Sequence, residues 1–201
     1  SEVTVMAPRD GQELVKMLDY VAKFTSGPIA IRYPRGAVAE ETGLVLKERQ
    51  PSPIQHGKAE LLRGGKDVLI IAYGSMVYPA YEAAMRLEKK GVDCALLNAR
   101  FAKPLDEYTI LNLSKDKRLV ITIEEGVRLG GFGSAVLELF EKTQSKSQVK
   151  DLPRVVTLAI PDHFVEHGKR DNLLHNLGLS PEAIQAEILR QLEYEFRGQL
   201  T

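Results

Sequence analysis

The sequence predicts an α/β fold in which a mostly parallel sheet carries helices on both faces. Strand-like apolar runs alternate with helix-like segments along most of the 201 residues, an order that is typical of parallel strands joined by crossover helices. Two of the runs, Asp67 to Tyr73 and Leu119 to Glu124, are largely apolar, as expected of strands buried on both faces. The composition fits a globular protein, because 44% of the residues are hydrophobic and 27% are charged.

The first 36 residues are predicted to form a β-α-β unit. A short strand, Val3 to Pro8, ends at a proline. Asp10 is expected to cap the next helix, with Glu13 completing a capping box. The apolar residues that follow at helical spacing are Leu14, Met17, Leu18, Val21 and Ala22. A second strand, Ile29 to Tyr33, then completes one right-handed crossover unit.

Residues 37–56 interrupt this pattern. They are polar and contain Pro51 and Pro53, a composition that predicts an interdomain linker. The sequence therefore divides into a β-α-β unit over residues 1–36, a linker over residues 37–56 and a second α/β region over residues 57–201.

The second region alternates strands and helices in the same way. Its first strand, Lys58 to Arg63, is joined to the next by Gly64-Gly65 and is expected to lie antiparallel at a sheet edge. The remaining predicted strands are Asp67–Tyr73, Val92–Leu97, Leu119–Glu124 and Val155–Ile160. The predicted helices are Val77–Lys89, Asp106–Leu113, Ser134–Lys142, Arg170–Asn176 and Pro181–Phe196.

Charge and cysteine content exclude several classes of protein. Lys+Arg and Asp+Glu balance at 27 each, so no overall field attracts nucleic acid or an anionic membrane. The single cysteine, Cys94, excludes an internal disulfide framework and a cysteine-based zinc cluster, and it is expected to be a small core residue. Because we see neither a membrane-spanning apolar run nor a leader peptide, we expect a cytoplasmic protein.

Two motifs follow the strand that ends at Glu124. The glycines of Gly130 to Ser134 occupy the place of a phosphate loop but do not match a dinucleotide or P-loop pattern, which favours a tight strand-to-helix turn. Glu124 and Glu125 have three interpretations. Paired carboxylates serve acid/base catalysis, but they also cap turns or form interface ion pairs.

His163 and His167 are four residues apart, which on a helix is a metal-binding spacing. Pro161 precedes the pair and Gly168 follows it, so the segment is interpreted as a structural or interface loop before a helix.

Arg32 and Arg35 are the strongest candidates for a binding site. Arg32 lies where a buried strand ends, the edge at which open α/β sheets place their ligands. An arginine there has five donors to satisfy, and a phosphate or carboxylate satisfies them in pairs. An ion pair with a neighbouring acidic side chain is the alternative, and spacing alone does not separate the two.

Several motifs together resemble one known family. They are Met6–Asp10, Gly27–Gly36, Arg100–Asp106, Glu124–Gly126, Gly130–Ser134, Ile160–Gly168 and Leu177–Leu179. They resemble the 1-deoxy-D-xylulose-5-phosphate synthases, a transketolase-like, thiamine-diphosphate-dependent family. The first two motifs match the end of that family's pyrimidine-binding domain and the others its C-terminal domain. The resemblance thus covers essentially the whole chain.

This resemblance implies an activity and its partners. The family condenses pyruvate with D-glyceraldehyde 3-phosphate, with loss of carbon dioxide, on thiamine diphosphate with Mg²⁺. The product feeds isoprenoid, thiamine and pyridoxal phosphate synthesis. The resemblance also implies a homodimer, with no nucleic-acid or membrane partner.

The family's cofactor motif is missing from the sequence. In the family, a Gly-Asp-Gly…Asn motif in the N-terminal domain binds the diphosphate and Mg²⁺, and no Gly-Asp-Gly occurs here. The family's catalytic glutamate also lies upstream, early in its pyrimidine-binding domain. We therefore expect a C-terminal fragment that lacks the enzyme's N-terminal domains, binds no cofactor or metal alone and is inactive alone.

One family site carries over as an implication of the resemblance. The arginine that binds substrate phosphate at the last strand of the pyrimidine-binding domain falls on Arg32, with Arg35 as the second choice. Two other interpretations stay open. One is a β-subunit or C-terminal domain of another transketolase or 2-oxoacid dehydrogenase, which the segment Asp162 to Gly168 disfavours. The other is a non-catalytic assembly module that binds partner chains.

Overall fold

The structure, a computed structural model, describes residues 3–36, 51–146 and 152–198. Most of the predicted linker, residues 37–50, lies outside these ranges, so the predicted domain boundaries stay a prediction. The strands are β1 (Thr4–Met6), β2 (Ile29–Ile31), β3 (Glu60–Arg63), β4 (Val68–Ala72), β5 (Cys94–Asn98), β6 (Phe101–Lys103), β7 (Leu119–Val127) and β8 (Arg154–Ile160). The helices are α1 (Gly11–Val21), α2 (Val77–Glu88), α3 (Glu107–Ser114), α4 (Phe132–Lys146), α5 (Arg170–Asn176) and α6 (Pro181–Gly198).

The larger sheet has five strands in the order β3-β5-β4-β7-β8. All neighbours are parallel except β3, which lies antiparallel to β5 at one edge. The predicted mostly parallel sheet with an antiparallel edge strand is therefore confirmed. Strand β3 pairs with β5 and not with β4, the next strand in the chain. The connection from β3 to β4 therefore has to cross β5. Gly65 permits this crossing, since a Cβ there would lie 2.2 Å from the carbonyl carbon of Cys94.

Helices cover both faces of this sheet, as predicted. On one face, α2 and α6 pack against the strands through Ala80, Ala84, Leu87, Ile184 and Ile188, all of which are fully buried. On the other face, α3 and α4 contribute Ile110, Phe132, Val136, Leu139 and Phe140. Cys94 is buried in the first of these cores, as expected of a small core residue.

The smaller sheet has three strands in the order β2-β1-β6. Strands β1 and β2 are parallel and α1 connects them, which confirms the predicted β-α-β unit. Strand β6 is antiparallel to β1 and was not predicted. It follows β5 after a sharp turn at Arg100, whose φ is 58°. The β-α-β unit is thus completed by a strand from the second α/β region.

The buried stripe of α1 differs from the predicted one. Met17 is fully buried, but Leu18 is 52% exposed and its neighbour Val15 is 60% exposed. The buried residues of α1 are Glu13 and Met17, so only a narrow stripe of the helix is covered. Among the described residues, no helix combines the length and apolarity that a membrane span requires.

Candidate functional site

A small pocket of about 100 Å³ lies where strands of both sheets end. Its lining comes from the segments that follow β1, β2 and β4 and from the carboxyl-terminal part of β7. The lining residues are Ala7, Arg32, Tyr33, Pro34, Tyr73, Gly74, Ser75 and Glu125. The pocket therefore occupies the edge at which α/β sheets place ligands.

Arg32 reaches from the small sheet to the large one. Its backbone N–H donates to the carbonyl of Met6, 2.8 Å away, which fixes the residue directly after β2. Its Nη2 donates to the main-chain carbonyl of Glu125. Gly126 makes room for this contact, because a Cβ there would lie 3.2 Å from Arg32 Nη1. The Arg32 side chain otherwise faces the pocket and solvent, which leaves donors for an anion.

Arg35 lies three residues further along the exposed loop, outside the pocket lining. The structure thus places Arg32 in the pocket lining and Arg35 on the neighbouring exposed loop. The hydrogen-bond partner of Arg32 is a main-chain carbonyl. Its charge also lowers the pKa of the neighbouring Glu125 carboxyl, so the ion-pair alternative stays open beside anion binding.

Glu125 is one of the two adjacent carboxylates, and it forms an ion pair. Arg170, the first residue of α5, donates from Nε to Glu125 Oε1 at 2.9 Å and from Nη2 to Oε2. Ser75 Oγ donates to the same Oε2 at 2.8 Å. Burial works to raise the pKa of Glu125, but the bonds from Arg170 and Ser75 and the nearby Arg32 charge outweigh it and hold that pKa below its ordinary value.

Glu124 caps the following helix. Its carboxylate is buried and accepts hydrogen bonds from the N–H groups of Phe132 at 3.0 Å and Gly133 at 2.8 Å, in the first turn of α4. A carboxylate there also complements the positive end of the helix. Of the three interpretations left open for the pair, capping describes Glu124 and an ion pair describes Glu125.

The glycine-rich loop is built around the Glu124 side chain. A Cβ at Gly131 would lie 2.6 Å from Glu124 Oε1, and one at Gly133 would lie 2.7 Å from Thr122 Oγ1. These approaches confirm the tight strand-to-helix turn that the sequence favours. The Glu124 carboxylate accepts the hydrogen bonds of the first main-chain N–H groups of α4. These N–H groups are therefore unavailable to a diphosphate.

His163 and His167 lie in the exposed loop between β8 and α5, as predicted. Phe164 between them is fully exposed. Within residues 3–36, 51–146 and 152–198, no group of three or more His, Cys, Asp or Glu side chains is arranged to hold a metal.

Tyr73 is a pocket residue that sequence reasoning missed. Its ring stacks on Phe132 with 5.1 Å between centroids, and the residue is only 4% exposed. The hydroxyl has no hydrogen-bond partner among the described atoms. Burial raises the pKa of Tyr73. Tyr73 directly follows β4 in the sequence, which is the signal that places it at the ligand edge.

A buried charge cluster joins the two sheets next to this region, and it too was missed. We call it the Arg100 cluster; its members are Arg9, Glu13, Glu60, Asn98 and Arg100. Arg100 donates to Glu13 and forms an ion pair with Glu60, which also pairs with Arg9. Asn98 donates to both oxygens of Glu13 at 3.0 and 3.1 Å.

The capping box at the start of α1 is therefore only half correct. Asp10 does accept a hydrogen bond from the Glu13 N–H at 2.7 Å. The Glu13 carboxylate, however, accepts from the N–H of Arg9 instead of Asp10. The reason is that Arg100 and Asn98 draw the Glu13 side chain into the cluster.

Comparison with known protein families identifies the family of the second α/β region. The family described as "Transketolase, C-terminal domain" matches residues 57–184. Among curated relatives, the 1-deoxy-D-xylulose-5-phosphate synthase of Thermosynechococcus vestitus is 44% identical over 189 residues, which cover 94% of this chain and 28% of that protein. The synthase of Gloeobacter violaceus is 44% identical over 193 residues, 96% of this chain and 29% of that protein. The chain thus spans less than a third of the length of these relatives.

Solved structures show the same fold. A split-gene transketolase, described as an inactive β4 tetramer, is 26% identical with a TM-score of 0.76 over 94% of this chain and 57% of that one. A transketolase from Pichia stipitis is 18% identical with a TM-score of 0.63, over 98% of this chain and 26% of that one.

Proposed function

The chain belongs to the transketolase C-terminal domain family, and we propose that it works as the C-terminal part of a 1-deoxy-D-xylulose-5-phosphate synthase. Such an enzyme condenses pyruvate with D-glyceraldehyde 3-phosphate and releases carbon dioxide. The similarity to the synthase of Thermosynechococcus vestitus, 44% over 94% of this chain, supports this assignment. The chain's own role is to bind substrate phosphate and to complete the enzyme's domain packing.

The observation that carries the substrate role is the position of Arg32. It follows a strand of one sheet, bonds to the Glu125 carbonyl of the other and lines the pocket between them. In this proposal its remaining donors bind the phosphate of glyceraldehyde 3-phosphate through charge-assisted hydrogen bonds. Arg35 on the neighbouring loop is the second candidate for this role.

The described residues of this chain offer no place that suits the diphosphate or the Mg²⁺ of the cofactor. The first amides of α4, the place for a diphosphate, are occupied by Glu124. The described residues also contain no cluster suited to Mg²⁺. In our proposal thiamine diphosphate and Mg²⁺ bind to the N-terminal domains of the same enzyme, so no catalytic step is assigned to residues of this chain.

The proposed partners are those N-terminal domains and a second copy of the enzyme. Exposed apolar side chains at Val15 and Leu18 of α1 and at Tyr33 suit a surface against which another domain packs. We further propose a cytoplasmic homodimer, as the resemblance implies.

A second candidate is the β chain of a split-gene transketolase. It is favoured by the 0.76 TM-score with such a chain. The synthase is preferred because sequence identity is 44% to synthases and 26% to the split-gene protein.

A chimeric enzyme tests the proposal. This chain replaces the matching part of the Thermosynechococcus vestitus synthase, and product formation from pyruvate and glyceraldehyde 3-phosphate is measured. We expect an active chimera, and we expect the isolated chain to show no Mg²⁺-dependent thiamine diphosphate binding by calorimetry. A folded chimera that binds the cofactor but forms only transketolase products would contradict the synthase assignment.

A further inference from the structure

A carboxylate lines the pocket that we assign to a phosphate. The Glu125 side chain is about one quarter exposed and lies on the same wall as Arg32. An ionised carboxylate within a few ångströms of a phosphate would oppose its binding, because like charges repel strongly where water is partly excluded. Phosphate binding by Arg32 therefore requires that the Glu125 charge be neutralised.

Arg170 supplies this neutralising charge. Two of its guanidinium nitrogens bond to the two oxygens of Glu125, the geometry in which arginine binds carboxylates most strongly. Arg170 Nη2 also donates to Ser75 Oγ at 3.2 Å, while Ser75 donates to Glu125. The three side chains form a closed triangle that fixes the orientation of the carboxylate.

The charges of the pocket wall show what this pair changes. Arg170, just outside the pocket lining, offsets the negative charge of Glu125 beside the positive charge of Arg32. Without Arg170 the Glu125 carboxylate would lose its ion-pair partner and would act on the pocket with its full charge. The Glu125 main chain, to which Arg32 donates, would also lose the side-chain anchor beside it.

We propose that Arg170 is a positioning residue for phosphate binding: it neutralises and orients Glu125 so that a phosphate group can reach Arg32. This inference rests on the proposed function of Arg32. It goes further in assigning a role to a residue of α5 that lies outside the pocket lining.

A purely structural role is the alternative, in which the ion pair only anchors α5 to β7. The two roles differ in a double variant. If Arg170 acts by neutralising Glu125, then replacing both charges, with Arg170→Met and Glu125→Gln together, restores phosphate binding. If Arg170 is only an anchor, the double variant binds as Arg170→Met alone does.

The test titrates the full 201-residue chain with inorganic phosphate as the probe. Phosphate binding is measured from NMR chemical shifts at constant ionic strength. We expect Arg170→Met to weaken phosphate binding about three- to tenfold, which is the effect of removing one partly screened positive charge near the phosphate. Arg170→Lys should retain most of the affinity, and the double variant should return to within about twofold of the unaltered chain. Thermal unfolding of each variant checks that the fold is intact.

The outcomes separate the two proposals. Arg32→Met is included as the reference variant. If Arg32→Met abolishes binding but Arg170→Met changes nothing, or if the double variant is not restored, this inference is wrong and the role of Arg32 stands. If the unaltered chain shows no saturable binding, or if Arg32→Met binds phosphate normally, the assignment of Arg32 itself fails.

Discussion

The Nε atom of Arg100 lies 2.7 Å from Oε1 of Glu13, and both side chains are buried. Glu13 is on α1 and Arg100 follows β5, so the pair connects the β-α-β unit to the large sheet. The β-α-β unit by itself has only the two strands β1 and β2, which bury little apolar surface and need a further element to pack on. The Arg100 cluster and strand β6 together provide that attachment.

The first prediction concerns this pair. Arg100→Met should lower the free energy of unfolding by about 3 kcal/mol or more, because it leaves the Glu13 carboxylate buried without its main partner. Urea denaturation measures the loss. The double variant Glu13→Leu with Arg100→Met should cost less than the sum of the single changes.

The matched control for that experiment is Arg190→Met. Arg190 forms an ion pair with Glu187 on the exposed side of α6, and such pairs contribute little. We expect no measurable change in unfolding. A loss for Arg100→Met that is no larger than that of the control would show that the cluster does not stabilise the contact between the two sheets.

The second prediction concerns the glycine-rich loop. Gly131→Ala should destabilise the protein by about 1–3 kcal/mol, because the new Cβ would lie 2.3 Å from the Val127 carbonyl and 2.6 Å from Glu124 Oε1. Gly64→Ala is the control, since nothing lies within 4 Å of a Cβ there. Thermal unfolding of the two variants is compared. Equal midpoints would mean that the loop adapts without disturbing the cap on α4.

The elements of the large sheet could be predicted because their signals are local. Apolar residues at helical spacing, such as Ala80, Ala84 and Leu87, are the ones that the structure buries. The motif resemblance to the 1-deoxy-D-xylulose-5-phosphate synthases is also confirmed, by the 44% sequence identity to one of them. The prediction for β2 was only partly correct: the strand ends at Ile31 instead of Tyr33, and it is partly exposed instead of buried because it lies at the edge of the small sheet. Arg32 directly follows the strand, so its place near the carboxyl end could still be predicted.

The features that sequence reasoning missed depend on distant partners. The local sequence predicts that Glu13 completes a capping box, but its carboxylate is bound by Arg100, 87 residues away. Strand β6 has three residues, too few to form a periodic pattern, and it exists because β1 offers a free edge. Likewise, the partner of Glu125 could not be predicted, because Arg170 reaches it only once α5 packs near the end of β7.

The third prediction is a dependence of stability on pH at the start of α3. Burial works to raise the pKa of Asp106, but hydrogen bonds from the Ala59 N–H and from Thr109, with the Lys58 charge, outweigh it and hold that pKa below its ordinary value. The ionised form therefore stabilises the fold above a pH of about 4, the carboxyl pKa of the unfolded chain. This contribution is lost as the pH falls through the lower pKa of the folded state.

Asp106→Asn tests this sign. At pH 7 the variant should be about 1 kcal/mol less stable, the difference between hydrogen bonds to a charged and to a neutral acceptor, and this difference should shrink as the pH falls towards 3. Urea denaturation at a series of pH values measures it, with the exposed Glu138→Gln as the control. A difference that stays constant between pH 7 and 3 would show that the Asp106 charge does not contribute.

The fourth prediction separates binding of substrate phosphate from a general effect on the active site. In the chimeric synthase, Arg32→Met should raise the KM for glyceraldehyde 3-phosphate about tenfold to a hundredfold, the effect of losing a charge-assisted bond of about 1.5–3 kcal/mol. The KM for pyruvate, which has no phosphate, should change much less. Arg35→Met compares the second candidate on the same loop, and because Arg35 lies outside the pocket lining we expect a smaller increase in this KM than for Arg32→Met. Steady-state kinetics with each substrate varied in turn provides both constants. Equal increases for the two substrates would mean that Arg32 holds the two sheets together and does not bind the phosphate.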